Sequence, residues 1–195
     1  MCGDEIIMRY RIDASRSRFT VQAFADGLLS VFGHSPTMAI CGFGGDAHFA
    51  PDAPDHPSLL ILVQANSLAV TDKVSAKDRT EMERAIREDV LETTRYPEIT
   101  FFSTSVAVNQ TADGAYSVKL TGDLSLHGVT RRQLIDAQMT VNEDSLRARG
   151  EFPLQQANYN IKTVSVGAGM LKVKDELKLS FDISAIADFG MRNAD

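Results

Sequence analysis

The chain has 195 residues, of which 44% are hydrophobic, and its net charge is −6; this suits one domain, residues 1–195, able to bury a substantial core. No stretch concentrates Lys and Arg, which argues against nucleic acid as a partner, because neutralising phosphates requires a basic surface. No apolar run approaches the ~20 residues that span a bilayer, and the two cysteines, Cys2 and Cys41, are too few for a disulfide framework.

The opening Met1 to Tyr10 has no basic segment, no apolar segment and no cleavage site. A cytoplasmic protein is therefore expected; a trimmed leader would instead place it in the periplasm or outside the cell. Tyr10 and Ile12 open a first strand that Asp13-Ala14-Ser15 interrupts. Phe19, Val21 and Ala23 alternate with Thr20 and Gln22, the pattern of a second stretch of strand. From Ala25 to Ser35, Leu28, Leu29 and Phe32 lead to Gly33 and Pro36, which predicts a short helical turn. Thr37 to Phe49 is extended again, and Gly42, Gly44 and Gly45 predict a bulge or barrel corner within it. Pro51 to Pro57 is a hairpin loop, and Ser58 to Asn66 a buried strand. Asp78 to Thr93 is the one convincing helix: Met82, Ile86 and Val90 recur every fourth residue, with charged residues on the opposite face. Tyr96-Pro97 ends it, because the residue before proline avoids helical angles.

The strongest pattern follows. Ile99 to Val106 alternates, and Asp113-Gly114 is a hairpin turn. It leads into Tyr116, Val118, Leu120, Leu124 and Leu126 on one face, with Ser117, Lys119, Thr121, Asp123 and Ser125 on the other. His127-Gly128 turns the chain, and Val129, Ile135, Ala137, Met139 and Val141 resume the alternation as the return strand. Leu146 to Phe152 and Leu177 to Ile183 supply two more strands, so the core spans residues 8–187 with a tail at 188–195. Parallel βαβ units need helices between most strands, and these are missing. The fold class is therefore mainly β, an antiparallel barrel or sandwich with one α-helix and a short helical turn. A barrel removes the edges that such long strands would otherwise expose.

Four ordered blocks resemble the YceI-like family: Tyr10-Arg-Ile-Asp13, Ser67-Leu-Ala-Val-Thr-Asp72, Tyr96-Pro-Glu-Ile-Thr-Phe101 and Gly122-Asp-Leu-Ser-Leu-His-Gly-Val-Thr-Arg131. The resemblance implies a single lipocalin-like barrel of about eight strands whose lumen takes a polyprenyl quinone, a polyprenol or another isoprenoid or fatty-acid-like lipid. It implies no catalytic cofactor, and a homodimer is the expected assembly because dimers are common among similar barrels. Two regions depart from the family pattern: the helix 78–91 lacks the family's His and Phe pair, and Leu28 to Gly45 gains Gly33-His34. An eight-stranded barrel either fills its interior with side chains or holds one ligand. The residues expected to touch a ligand are Val21, Phe24, Phe32, His34, Leu59, Ile61, Val63, Phe101, Leu120, Leu124, Met139, Phe152 and Phe181. Phe24, Leu28, Phe32 and Met82 are alternative plugs for one end of the barrel.

Chemistry is sparse by comparison. His34, His48, His56 and His127 show no metal-binding spacing. His48 is expected to point outward with Asp46, and His56 to be solvated. Cys41 has no evident His partner, and no G-x-S-x-G elbow occurs. His127 is expected to hold its turn by bonding nearby backbone, while His34 could bond a ligand head group. The alternative to a binding protein is a cytoplasmic enzyme for a hydrophobic substrate, with His34 or His127 as acid/base.

Overall fold

The computed structural model describes residues 8–26, 35–49, 58–163, 165–166 and 171–188. The first half of the chain makes three broken strands. β1 (Met8–Ile12) is followed, after a turn at Ala14–Arg16, by β2 (Arg18–Asp26). The break is built by Asp13, whose side chain accepts from the Ser15 N–H at 3.0 Å. Ser17 Oγ then accepts from the Ser184 N–H at 2.9 Å, holding the break against the last strand. β3 (Thr37–Ile40) and β4 (Phe43–Phe49) are parted at Cys41-Gly42, where a Cβ on Gly42 would stand 2.7 Å from Gln64 Oε1. β5 (Ser58–Gln64) passes through a turn at Ala65–Ser67 into β6 (Leu68–Val70).

The helix α1 (Ala76–Ala85) comes next and continues through a π-helical turn at Ile86–Val90. Ser75 caps α1 by accepting from the Asp78 N–H at 3.1 Å, and Ser75 Oγ bonds the Asp78 carboxylate in return. The second half is continuous: β7 (Glu98–Ala112), β8 (Ala115–Leu126), β9 (Val129–Val141) and β10 (Ser145–Gln155). A turn at Gln156–Tyr159, a short β11 (Ser165–Val166) and the long β12 (Leu171–Ala187) complete the chain.

Eight antiparallel positions close the barrel in the order β1-β4-β5-β7-β8-β9-β10-β12, with β12 returning to β1. The broken strands add a second tier, β2-β3-β6, with β2 paired along the same β12 that closes on β1. Among the described residues β6 pairs only with β3, and α1 packs against its other side. Two side chains of α1 do the work of the missing strand. Glu83 accepts from the Val70 N–H at 3.0 Å, while Arg79 donates to the Val70 carbonyl and, at 3.0 Å, to that of Asp72. An edge that would otherwise expose backbone polar groups is thereby satisfied.

The barrel has two unlike ends. Where β1 and β8 begin, Tyr10, Phe49 and Tyr116 are buried, and the Phe49 and Tyr116 rings meet edge-on at 5.2 Å. Burial raises the Tyr10 hydroxyl pKa above its ordinary value. At the other end lie α1, β6, the β8–β9 turn and the turn at Gln156–Tyr159.

Candidate ligand-binding cavity

Strand alternation sends one row of side chains from every barrel strand to the inside. On β8 these are Tyr116, Val118, Leu120, Gly122, Leu124 and Leu126, all buried. On β9 they are Ile135, Ala137 and Met139, and on β12 Leu179, Ile183 and Ala185. These rows do not fill the barrel. They enclose a cavity of about 780 Å³ that runs from Phe49 and Met139 at one end to Met82, Ile86 and Leu154 at the other.

Two glycines shape it. A Cβ on Gly122 would come within 2.4 Å of the Phe101 ring, and one on Gly150 within 2.6 Å of Phe181. Each aromatic ring lies across a glycine on the paired strand, which is how a bulky ring fits against a barrel wall. Phe181 also meets Phe19 edge-on at 6.5 Å.

Of the thirteen residues expected to touch a ligand, Val21, Leu59, Ile61, Val63, Phe101, Leu120, Leu124, Met139, Phe152 and Phe181 border this cavity. Phe24 does not. It lies in a shallow outer groove with Glu151, Pro153, Glu176 and Lys178. The reason is parity: Val21 and Ala23 face inward on β2, so Phe24, one residue on, faces out. Phe32 and His34 lie outside the described residues, as do His56 and residues 27–34 of the turn expected at Ala25 to Ser35. Met82, expected as an alternative plug for one end, borders the cavity, and so do Val74, Ala85, Ile86 and Val90 of the helix region, which were not among the expected ligand contacts. The four-residue spacing of Met82, Ile86 and Val90 was their signal.

Polar groups border the cavity only near its ends among the described residues. His48 and Ser58 lie at the Phe49 end, with His48 Nδ1 at 3.2 Å from Ser58 Oγ. Asp72, Lys73 and Gln156 lie at the helix end. Asp46, paired by Arg9 at 3.0 Å on the outer wall, is held below the usual carboxylate range by that guanidinium.

His127 is buried but does not border the cavity. With φ of 51° at His127 and 73° at Gly128, the two form a tight hairpin turn. The imidazole sits 3.2 Å from the Tyr159 carbonyl through Nδ1 and 3.2 Å from Glu92 through Nε2, and its ring packs 4.4 Å from that of Tyr96. It ties the β8–β9 turn to the end of the helix region and to the turn after β10. Cys41 is exposed and free. Among the described residues no group of three His, Cys, Asp or Glu side chains is placed to hold a metal ion.

A YceI-like domain model matches residues 10–185. The chain belongs to the YceI-like family. Protein YceI of Shigella flexneri and protein YceI of Escherichia coli O6:H1 are each 34% identical to it over 110 residues, 51% of this chain and 54% of theirs. The match thus spans about half the length of these curated relatives. Among solved structures, Burkholderia cenocepacia BcnA aligns with a TM-score of 0.66 at 17% identity, covering 89% of this chain and 98% of BcnA. A polyisoprenoid binding domain from Saccharophagus degradans aligns with a TM-score of 0.66 at 15% identity, covering 92% and 98%. The Campylobacter jejuni YCEI protein aligns at 0.59 with 14% identity, covering 77% and 84%. At these identities the solved structures share the YceI-like barrel fold.

Proposed function

We propose that this barrel binds a long isoprenoid lipid, of the polyprenyl quinone or polyprenol type, and sequesters or carries it without chemical change. The observation that carries this reading is an apolar cavity of about 780 Å³ inside a closed barrel. At ~30 Å³ for each water-sized group, it has room for on the order of 25 carbon atoms. Burying hydrocarbon contributes roughly 0.8 kcal/mol per CH₂, so a five-carbon isoprene unit contributes about 3–4 kcal/mol before ordering costs. A chain of several units therefore needs few polar contacts to be held. The fold likeness to a polyisoprenoid binding domain points the same way. A non-catalytic role is favoured because His127 is engaged at the hairpin turn, away from the cavity.

The test is a titration of delipidated protein with polyprenols of increasing length. Affinity is expected to rise with each isoprene unit and to level off once the cavity is full. Absence of saturable binding at any length would contradict the proposal.

A further inference from the structure

We infer that α1 and the π-helical turn after it form a lid through which ligand enters and leaves, hinged at Glu92 and latched to β6 by Arg79 and Glu83. The opening is a property of the chain alone; what passes through it rests on the lipid-binding reading. Ala76 to Val90 contains no buried residue. Its Met82, Ala85, Ile86 and Val90 border the cavity, so the segment covers apolar space with half-buried side chains. Its ion pairs among the described residues are internal: Arg84 meets Glu88 at 2.8 Å and Asp89 at 3.9 Å, and Arg87 meets Glu83 at 3.9 Å. They move with the segment and do not tie it to the barrel.

The ties to β6 and the residues after it are polar. The Val70 N–H donates to Glu83 at 3.0 Å, and Arg79 donates to the carbonyls of Val70 and, at 3.0 Å, Asp72. Water can replace both partners of each bond when the segment lifts. Its two ends differ. Beyond Val90 the chain is fixed: Leu91 is buried, Glu92 takes a φ of 45° and reaches His127 Nε2 at 3.2 Å, and the Ala65 N–H donates to the Pro97 carbonyl at 2.9 Å. At the start Ser75 is exposed, and its hydroxyl bonds Asp78 of the helix itself. The segment therefore swings from its first turn about Glu92, an element end that takes up the change in backbone angle. At the opposite end of the cavity Phe49 packs on Tyr116, and the sides are laddered strands. Elements with few buried apolar contacts are the ones that open while the rest of a domain stays folded.

Two measurements test the lid. Native-state hydrogen exchange on ligand-free protein should show the amides of residues 80–90 opening together, about tenfold or more faster than those of β8 and β9. Exchange of this segment only in step with the barrel strands overturns the lid. The second measurement is stopped-flow binding of dansyl-labelled geranylgeraniol to delipidated protein. Arg79→Met should raise the association and dissociation rates together, each about tenfold, the size of one charge-assisted hydrogen bond. Kd should stay unchanged, because the latch touches no ligand and the closed form still predominates. Glu83→Ala should act in the same direction, by about threefold. Unchanged rates in both variants overturn the entrance, as does a Kd that rises at constant association rate, the mark of a lost ligand contact. If wild type binds no prenol, the lipid reading and the entrance fail together, whereas the exchange pattern still decides whether the segment opens.

Discussion

The two halves of this barrel are built differently. In β7 to β10 and β12 the strands run 11 to 17 residues without interruption. In β1 to β6 no strand exceeds 9 residues, and three successive breaks fall side by side at Asp13, Cys41-Gly42 and Ala65–Ser67. The continuous half makes a wall, its strands paired along most of their length apart from irregularities between Ser103 and Ser105 and between Gln110 and Ala112, and the parting of β9 and β10 beyond Gly150. The broken half makes a bend, and among the described residues the bend leaves β6 with an edge that α1 covers. Continuity gives an apolar stripe, whereas interruption gives a rim with a helix and a polar latch. The same alternating chemistry thus serves as container in one half and as opening in the other.

The largest effect should come where the halves meet. Phe49 of the broken half packs on Tyr116 of the continuous half, and Phe49→Ala is expected to cost about 3–5 kcal/mol in urea unfolding. A loss below ~1 kcal/mol would mean that this end is not a packed seam. A pair of glycines sharpens the contrast further. Gly122→Ala would drive a methyl into the Phe101 ring and the Phe102 carbonyl, for an expected loss of about 1–3 kcal/mol. Gly44→Ala meets nothing within 4 Å and should leave the unfolding midpoint nearly unchanged. Equal costs at the two sites would erase the distinction.

The latch comes next. Glu83→Ala removes the acceptor from the buried Val70 N–H, an expected loss of about 1 kcal/mol with faster hydrogen exchange at Val70. Glu83→Gln keeps an acceptor and should keep most of the protection. The smallest effect lies on the outer wall. Arg147, at 2.6 and 2.7 Å, holds the Asp182 carboxyl below its usual range. Its contribution is present above the ordinary aspartate value near ~3.9 and is lost as pH falls below that toward the lower folded value. In Asp182→Asn the decline of stability on acidification through that window should be shallower, by less than ~1 kcal/mol for a partly solvated pair. An unchanged acid profile would show that the pair contributes nothing.

The same contrast explains what could be read from the sequence. The stripe from Tyr116 to Leu126 was legible because period-two burial is written directly into a continuous strand. The break at Asp13 and the bend near Gly42 were legible as punctuation. Phe24 was misplaced because it was judged by its apolar character, when its parity with Val21 already sent it outward. The helix was legible from Met82, Ile86 and Val90, but it begins at Ala76, and the Ser75–Asp78 cap that marks its start was passed over. Its change to a wider π turn at Ile86 has no counterpart in the four-residue spacing, which runs unbroken through it. Lys73 was invisible for a simpler reason: one lysine among many becomes a rim residue only when the fold closes around the cavity.

The central claim is that the cavity holds a long isoprenoid lipid. The most direct test is to purify the protein from cells without detergent, extract it with organic solvent and identify the extract by mass spectrometry. The expected result is one prenyl-chain amphiphile at close to one mole per mole of protein. An extract with no stoichiometric lipid, from a protein whose cavity also stays empty when polyprenols are added, would contradict the account.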